Sequence, residues 1–320
     1  METLSQEFKE DLSQDGDRGL YFFREPIVTE IPQINRLLVE EYGESYPYPV
    51  GAFDPTGIYL IAVYKPTQEI VGFSRASPYG GHTGVHELGG LIVTRPHRGR
   101  GLAKKMTLIR LEICRSQGAK IAISEPVCYR VDCASQHNLL KHFNFVLLGI
   151  QPAKYPDIQH EILQGQPESV LMAASWLEGE SGFGTRRIFL PEEYRGLPYT
   201  YLPSEIHSKH FRQHIKADSF PEMIHHPSRL GRFSVGAEYI DVPANWHRSA
   251  VCIGELIHEG YHFSCLLPAF GVLPSGGYFD YVRLYRFPDK LHGFDFRRVH
   301  VAPQLAPLKY FCAGELACRR

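Results

Sequence analysis

The chain has 320 residues, with 34 lysines and arginines against 35 aspartates and glutamates, which gives a formal charge of −1. At roughly 150 residues per domain, this length predicts about two domains, each large enough to bury a core. A hydrophobic fraction of 43% and a charged fraction of 22% exclude a disordered or fibrous chain. The balanced charge gives no electrostatic reason to expect a nucleic-acid or membrane-surface partner.

The N-terminus and the cysteines indicate where the protein works. Residues 1–18 are polar and acidic, lack the charged and apolar regions of a signal peptide, and are expected to be flexible. No apolar stretch approaches the roughly 20 residues that span a bilayer, so no membrane span is expected. The seven cysteines form no C-x-x-C pair, which favours reduced thiols and a cytoplasmic protein.

The first half alternates strand and helix patterns. Apolar residues at helical spacing predict helices over 29–42, 101–117 and 135–143. Runs of β-branched and aromatic residues between turn signals predict strands over 19–24, 58–64, 69–75, 85–94, 120–124, 145–148 and 169–176. This order predicts an α/β domain over residues 19–178.

An acidic, glycine-rich segment over 179–186 is typical of a linker. Residues 187–320 then form a second domain, with strands predicted over 187–190, 233–240 and 278–286 and a helix over 245–259. The segments that begin at Leu140 and Ile257 share an order of helix end, tight turn, aromatic residue and strand. This repetition indicates that the second domain is a diverged relative of the first.

The sharpest motif follows the strand that ends at Thr94. There the sequence Arg98-Gly-Arg-Gly opens a helix, and Gly99 and Gly101 allow tight backbone curvature. The first N–H groups of a helix lack intrahelical acceptors and lie at the positive end of its dipole. These N–H groups and four nearby cationic side chains predict an anion site; the side chains are Arg98, Arg100, Lys104 and Lys105. An ordinary strand–helix turn is the alternative.

The run Arg98-Gly99-Arg100-Gly101-Leu102-Ala103 resembles the acetyl-CoA pyrophosphate motif R/Q-x-x-G-x-G/A of the GNAT superfamily of N-acetyltransferases. The resemblance covers Gly19 to about Leu177. It implies a GNAT-like N-terminal domain with a mixed α/β sheet and a smaller GNAT-like C-terminal domain that has no CoA loop. The co-substrate would be acetyl-CoA or a longer acyl-CoA, bound by Leu91, Ile92, Val93, Arg98, Gly99, Arg100, Gly101, Leu102, Ala103 and Lys104.

The same resemblance suggests a general base. Glu87 precedes Arg98 by eleven residues, a spacing similar to that of the base in histone-type members of the superfamily. The alternative is a strand carboxylate that faces solvent or holds an arginine. His86 should point to the opposite face, because strand side chains alternate.

The general acid is left open. The tyrosine that usually protonates the thiolate in this superfamily falls at Leu140 here and is missing. Four residues are close enough in sequence to replace it: Tyr129, which we take as the candidate, Cys133, Ser135 and His137. The alternative for each is a role in the core or in capping the helix, with Ser135 as the N-cap. Glu125, at the end of a predicted buried strand, is a second candidate for base or substrate-binding duty.

A different chemistry is suggested by His258-Glu259-Gly260-Tyr261-His262, which matches the H-E-x-x-H pattern of zinc hydrolases. That pattern needs both histidines on one helix face. Gly260 stands where the helix should end, which would place His262 on the next strand. We therefore expect no metal.

The sequence thus predicts an acyl-CoA-dependent N-acyltransferase in which an amine attacks the thioester directly. Its acceptor would be a small molecule or a peptide. The two-domain organisation is similar to that of bacterial enzymes that attach fatty acyl groups to lysine or ornithine side chains. A zinc-dependent hydrolase and a non-catalytic acyl-CoA scaffold remain as alternatives.

Overall fold

The computed structural model describes residues 19–43, 46, 48–79, 82–158, 163–177, 188–194, 220–231, 234–289, 291 and 294–314. The chain divides into two units, Met1–Ala122 and Ile123–Arg320. The expected flexible N-terminus, 1–18, and the expected linker, 179–186, lie outside the described residues. The domain limits that depend on them, 19–178 and 187–320, therefore stay predictions.

The first unit contains an antiparallel sheet. Its strands, in spatial order, are β1 (Tyr21–Arg24), β2 (Ile58–Tyr64), β3 (Glu69–Tyr79) and β4 (His82–Val93). All four strands are predicted by the sequence. β3 extends beyond the prediction at its C-terminal end, and β4 extends beyond it at its N-terminal end.

Two helices pack on opposite faces of this sheet. Helix α1 (Ile31–Tyr42) shares an apolar cluster with Ile61 of β2, and helix α2 (Leu102–Ser116) shares another with Leu60. Successive residues of a strand point to opposite faces, so α1 and α2 cover different sides. The α1 face and the α2 face are named accordingly below.

The second unit contains helices α3 (Ala134–His142), α4 (His247–His258) and α5 (Ala306–Cys312). Strand β5 (Ile121–Ser124) runs across the division between the units. The remaining strands are antiparallel to their neighbours and follow the spatial order β7 (Glu168–Trp176), β6 (Val146–Tyr155), β10 (His262–Val272), β11 (Tyr278–Arg286), β9 (Glu238–Pro243) and β8 (Ile224–His226).

Three predictions for the second unit need correction. Residues 188–190 are irregular rather than a strand, and the strand expected over 233–240 lies later, as β9. The strand expected over 145–148 continues to Tyr155, because β6 accommodates two register shifts that obscure its alternation. Strand β8 and helix α5 are not predicted by the sequence.

The described thiols are buried and unpaired: Cys114, Cys128, Cys133, Cys252, Cys265 and Cys312. Within the described part of the chain, no helix has the length and apolar character needed to cross a membrane.

Strands β6 and β10 begin in the same way. Each follows a helix, a residue with positive φ and a buried aromatic residue. The positive-φ residues are Asn144 (52°) and Gly260 (89°), and the aromatic residues are Phe145 and Tyr261. A constant offset of 116 residues relates the two pairs. The helix-end, turn, aromatic and strand order expected from the sequence is therefore present in both places.

The likeness continues along both strands. β6 and β10 each contain an alanine with positive φ, Ala153 (53°) and Ala269 (56°), at the same offset. The Ala153 amide donates to Ser169 Oγ at 3.0 Å, and the Ala269 amide donates to Asp280 Oδ1 at 2.8 Å. The register shifts also correspond: Leu147/Gly149 and Gln151/Tyr155 in β6, Phe263/Cys265 and Leu267/Gly271 in β10.

Gly149 allows the two repeated strands to meet. A methyl group at this position would lie 2.0 Å from Ser264 O and 2.4 Å from Cys265 Cα. Because both atoms are backbone, the neighbouring strand cannot yield by a rotamer change. We expect Gly149→Ala to lower the free energy of unfolding by about 3 kcal/mol, measured by chemical denaturation.

The matched control is Gly254→Ala. Gly254 lies inside α4 with no atom within 4 Å of an added methyl group, so alanine should raise stability by up to about 1 kcal/mol. Equal stability of the Gly149 variant and the parent would contradict the β6–β10 pairing at this point.

Candidate functional site

The turn between β4 and α2 forms the candidate anion site. Gly99 and Gly101 have φ of 75° and 78°, the left-handed conformation that glycine adopts without strain. Helix α2 begins at Leu102 directly after Gly101. By helix geometry, the N–H groups of its first turn have no intrahelical acceptor, and they carry the positive end of the dipole of a 15-residue helix.

The surface of this turn is open and cationic. Gly99, Arg100, Gly101 and Lys104 are exposed. Nothing lies within 4 Å of a methyl group placed on either glycine. A phosphate group can therefore approach the backbone closely, with two cationic side chains beside it. These features suit a ligand that carries phosphate groups.

Arg98 has a different role from its neighbours. Its Nε donates to Val93 O at 2.8 Å, and its guanidinium forms an ion pair with Glu41 of α1. The side chain thus ties the turn to the end of β4 and to the end of α1. Since Glu41 offsets its charge, Arg98 contributes to the shape of the turn more than to its positive potential.

Strand β4 contains a bulge just before this turn. Phe73 of β3 pairs with Ile92, but Arg75 pairs with Gly89, so two β4 residues oppose Ser74 alone. One of them, Gly90, has φ of 60°. The extra residue bends the strand and changes which face the following side chains occupy.

Glu87 lies before the bulge, opposite Ser77. Its neighbour His86 is 1% exposed, whereas Glu87 is half-buried, as expected for side chains on opposite faces of a strand. A methyl group on Gly89 would lie 3.8 Å from Glu87 Oε1 and 3.4 Å from Arg75 Nε. The Glu87 carboxylate and the side chain of the exposed Arg75 therefore lie on the same face of the sheet, on either side of Gly89.

Glu125, in the second unit, is buried, with a side chain 6% exposed. It pairs with Lys154, accepts from Tyr155 OH at 2.6 Å and accepts from Gln151 Nε2 at 2.9 Å. Burial alone would raise the pKa of Glu125, but Lys154 and the hydrogen-bond donors outweigh burial and lower it. A carboxylate held in its ionised form by three donors is a weak base.

Gln151 also links Glu125 to a second buried carboxylate. Gln151 Oε1 accepts from the guanidinium of Arg283 at 2.6 Å. Arg283 donates to both oxygens of Asp241 at 2.7 Å, and His226 Nε2 lies 2.9 Å from one of them. Burial opposes ionisation of Asp241, but Arg283 and His226 lower its pKa.

The candidates for the general acid lie between β5 and α3 or within α3. Tyr129 is half-buried in the segment that precedes α3. Cys133 has φ of 49°, and burial together with Asp132 raises the pKa of its thiol. Among the described residues, Ser135 Oγ and His137 Nδ1 have no hydrogen-bond partner. Leu140 stands half-buried on α3.

The zinc-hydrolase pattern does not form its required geometry. Helix α4 ends at His258, Gly260 has φ of 89°, and His262 is the first residue of β10. The two histidines thus lie on different elements rather than on one helix face. No group of three or more candidate metal ligands occurs among the described residues.

The structure divides the predicted catalytic residues between the two units. Glu87 and the predicted CoA-contacting residues belong to the first unit, and Glu125 and Tyr129 to the second. The sequence interpretation missed Arg75 and Arg110. The available signals were the Gly89-Gly90 pair, which indicates a bulge, and an arginine on the apolar face of a helix.

Comparison with known proteins gives one family match. Residues 27–133 match the model of the acetyltransferase (GNAT) family. No curated protein matches the chain.

Solved structures of acetyltransferases resemble about half of the chain. The phosphinothricin acetyltransferase of Sinorhizobium meliloti, in complex with AcCoA, is 16% identical with a TM-score of 0.41, over 51% of this chain and 91% of its own. The aminoglycoside 6'-N-acetyltransferase of Enterococcus faecium is 16% identical with a TM-score of 0.38, over 49% and 97%. The ribosomal-protein-S18-alanine N-acetyltransferase of Escherichia coli is 12% identical with a TM-score of 0.39, over 50% and 97%.

Glu125 provides a stability test of the buried network. We expect Glu125→Gln to lower the free energy of unfolding at pH 7 by about 3 kcal/mol, because Lys154 loses its counter-ion. The folded-state pKa lies below the ordinary value of 4.5. The stabilisation is therefore complete above pH 4.5 and is lost as the pH falls through the folded-state pKa.

Denaturation of parent and variant at several pH values measures this difference. Asp132→Asn is the control, since Asp132 pairs with Arg130 at the surface and should cost under about 1 kcal/mol. A difference between parent and Glu125→Gln that stays constant down to pH 3 would show that ionisation of Glu125 is not the cause.

Proposed function

We propose that this protein is an acyltransferase that moves an acyl group from acyl-CoA to an amine. The proposal starts from the match of residues 27–133 to the acetyltransferase (GNAT) family. The observation that supports the proposal most strongly is the β4–α2 turn. Two left-handed glycines, an unpaired helix N-terminus and exposed cations lie within a few residues of each other, on the part of the chain that matches the family. This combination suits a pyrophosphate.

In the proposed reaction, the thioester supplies an activated acyl carbon. The backbone amides from Gly99 to Lys104 hold the pyrophosphate, and the backbone of Leu91–Val93 holds the pantetheine arm as an added strand would. Glu87 accepts a proton from the acceptor ammonium, directly or through a water. The free amine then forms a C–N bond as the C–S bond breaks. The leaving thiolate takes up a proton, for which Tyr129 is the candidate donor, and the proton lost by the new amide nitrogen replaces the one that Tyr129 gives.

The acyl group and the acceptor are finer proposals. We propose acetyl-CoA or a longer acyl-CoA as co-substrate, and as acceptor an amine on a small molecule or a peptide, including a lysine or ornithine side chain. The bulged repeat in the second unit supports the proposal that the C-terminal part is a diverged GNAT-like domain that has no CoA loop of its own. A cytoplasmic location stays a prediction.

The CoA site is tested by Gly101→Ala. A side chain at a φ of 78° is strained, so we expect the turn to relax and the first-turn N–H groups to lose their common direction. Isothermal titration with CoA should show binding by the parent and an affinity about tenfold lower in the variant, which corresponds to about 1.4 kcal/mol.

Gly118→Ala is the matched control. Gly118 has φ of 80°, lies just beyond the other end of α2 and, like Gly101, has no atom within 4 Å of an added methyl group. It carries the same backbone strain without touching the turn, so CoA affinity should not change. Failure of the parent to bind CoA, or equal losses in the two variants, would count against the site.

The role of Glu87 is tested by Glu87→Gln. Incubation of parent and variant with mixed acyl-CoAs and a panel of amines, followed by mass spectrometry, shows which mass is transferred and to what. We expect the rate to fall by about 10²-fold while CoA affinity stays within threefold, because the amide removes the base and keeps the shape.

An unchanged rate from pH 6 to 9 would exclude Glu87 as the base. CoA binding without turnover in either protein would favour the non-catalytic scaffold, the alternative motivated by Leu140 in place of the usual tyrosine.

A further inference from the structure

Arg110 is a buried cation in the middle of α2. Its side chain is 1% exposed, and it belongs to the same helix face as Met106 and Ile109, in the apolar interior. Burial lowers the pKa of its guanidinium to about 10, so the group stays charged at neutral pH. A charge in such surroundings is costly unless every donor has a partner.

The partners of Arg110 are neutral oxygens. Its NH1 group donates to Arg75 O at 2.8 Å and to Gly89 O at 3.1 Å. Its Nε donates to Met106 O at 3.3 Å, and its NH2 group donates to Thr107 Oγ1 at 3.3 Å. No carboxylate among the described residues forms an ion pair with it, so pairing of opposite charges does not explain its burial.

Two of those acceptors mark the bulge. Arg75 and Gly89 are the last β3–β4 pair before the irregularity, and the NH1 group binds the carbonyls of both strands at once. A bulge disturbs the hydrogen-bond ladder, and buried carbonyls that lose their partners cost free energy. The guanidinium of Arg110 donates to a carbonyl of each strand beside the irregularity and thereby joins the two strands there.

The bulge also decides which face each β4 side chain occupies. Before it, Glu87 and Gly89 lie on the α1 face, with Ser77 and Arg75 as their partners. After it, Ile92 packs in the α1-face cluster, while Leu91 and Val93 pack in the α2-face cluster. Regular alternation from Glu87 would put Leu91 and Val93 on the α1 face.

We propose that Arg110 is a positioning residue for acyl transfer: by fixing the bulge, it sets Glu87 at the correct distance and orientation from the backbone of Leu91–Val93. The inference rests on the proposed function, in which Glu87 is the base and Leu91–Val93 holds the thioester arm. Arg110 itself does not touch the substrates. Its effect on rate is geometric, and a displacement of about 1 Å between reacting groups can cost 10²-fold.

The test compares Arg110→Lys and Arg110→Met with the parent protein. Lysine keeps the charge but has no planar fork to span two carbonyls, and methionine leaves both carbonyls without the donor. At a temperature where each variant is folded, we expect kcat to fall about tenfold for lysine and more for methionine. The Kd for CoA, from titration, should stay within threefold, because the pyrophosphate turn is unchanged.

Hydrogen exchange supplies a readout that does not depend on activity. Peptides that cover residues 87–93 should exchange faster in both variants, while peptides from β2 keep their protection. Arg115→Lys is the control: Arg115 is exposed on the same helix, and its substitution should alter neither kcat nor exchange.

The outcomes separate the two proposals. Unchanged kcat per folded molecule, with exchange raised evenly over the unit, would mean that Arg110 only stabilises the fold. Unchanged exchange over residues 87–93 would overturn the inference even if the parent transfers acyl groups. If the parent binds no CoA, the proposed function fails, and faster exchange at residues 87–93 would still show that Arg110 holds the bulge.

Discussion

The single extra residue in β4 is the constraint on which the first unit depends. Because of this residue, Glu87 lies on the α1 face of the sheet and Leu91 lies on the α2 face, although the two are separated by an even number of positions. A regular strand that kept Glu87 on the α1 face would put Leu91 and Val93 on that face as well, and would remove both from the α2-face cluster. The interior Arg110 stabilises this irregular strand, since its guanidinium donates to one carbonyl of β3 and one of β4 beside the bulge.

The sequence predicts the parts of this unit that follow from local rules. A run of β-branched and aromatic residues locates β2, and Gly99, Gly101 and the apolar spacing of α2 locate the glycine turn and the helix that follows it. The Gly89-Gly90 pair indicates a bulge, but it does not reveal which residue of β3 lies opposite. The burial of Arg110 escapes these rules too, because arginine is usually exposed and only the position of two carbonyls on the sheet explains its burial here.

In the second unit, too, some backbone features can be predicted from the sequence and others cannot. Gly260 marks the end of α4 from sequence alone and thereby removes the helical basis of the H-E-x-x-H match. The left-handed conformations at Ala153 and Ala269 carry no such signal, because alanine is not a residue that prefers positive φ. Each is held by a side-chain acceptor on the adjacent strand, Ser169 or Asp280, and that acceptor is brought into place only by the fold.

The buried hydrogen-bond network through Gln151 fixes which end of the Gln151 amide donates and which end accepts. Arg283 has only donors and Glu125 has only acceptors, so the amide between them must turn its oxygen to the guanidinium and its nitrogen to the carboxylate. Neither end can tolerate the reverse orientation, so an amide whose two ends are otherwise interchangeable becomes a one-way connector. Glutamate at this position could not donate to Glu125, and lysine could not accept from Arg283. Glutamine is thus required by the polarity of its neighbours, independently of any role in packing.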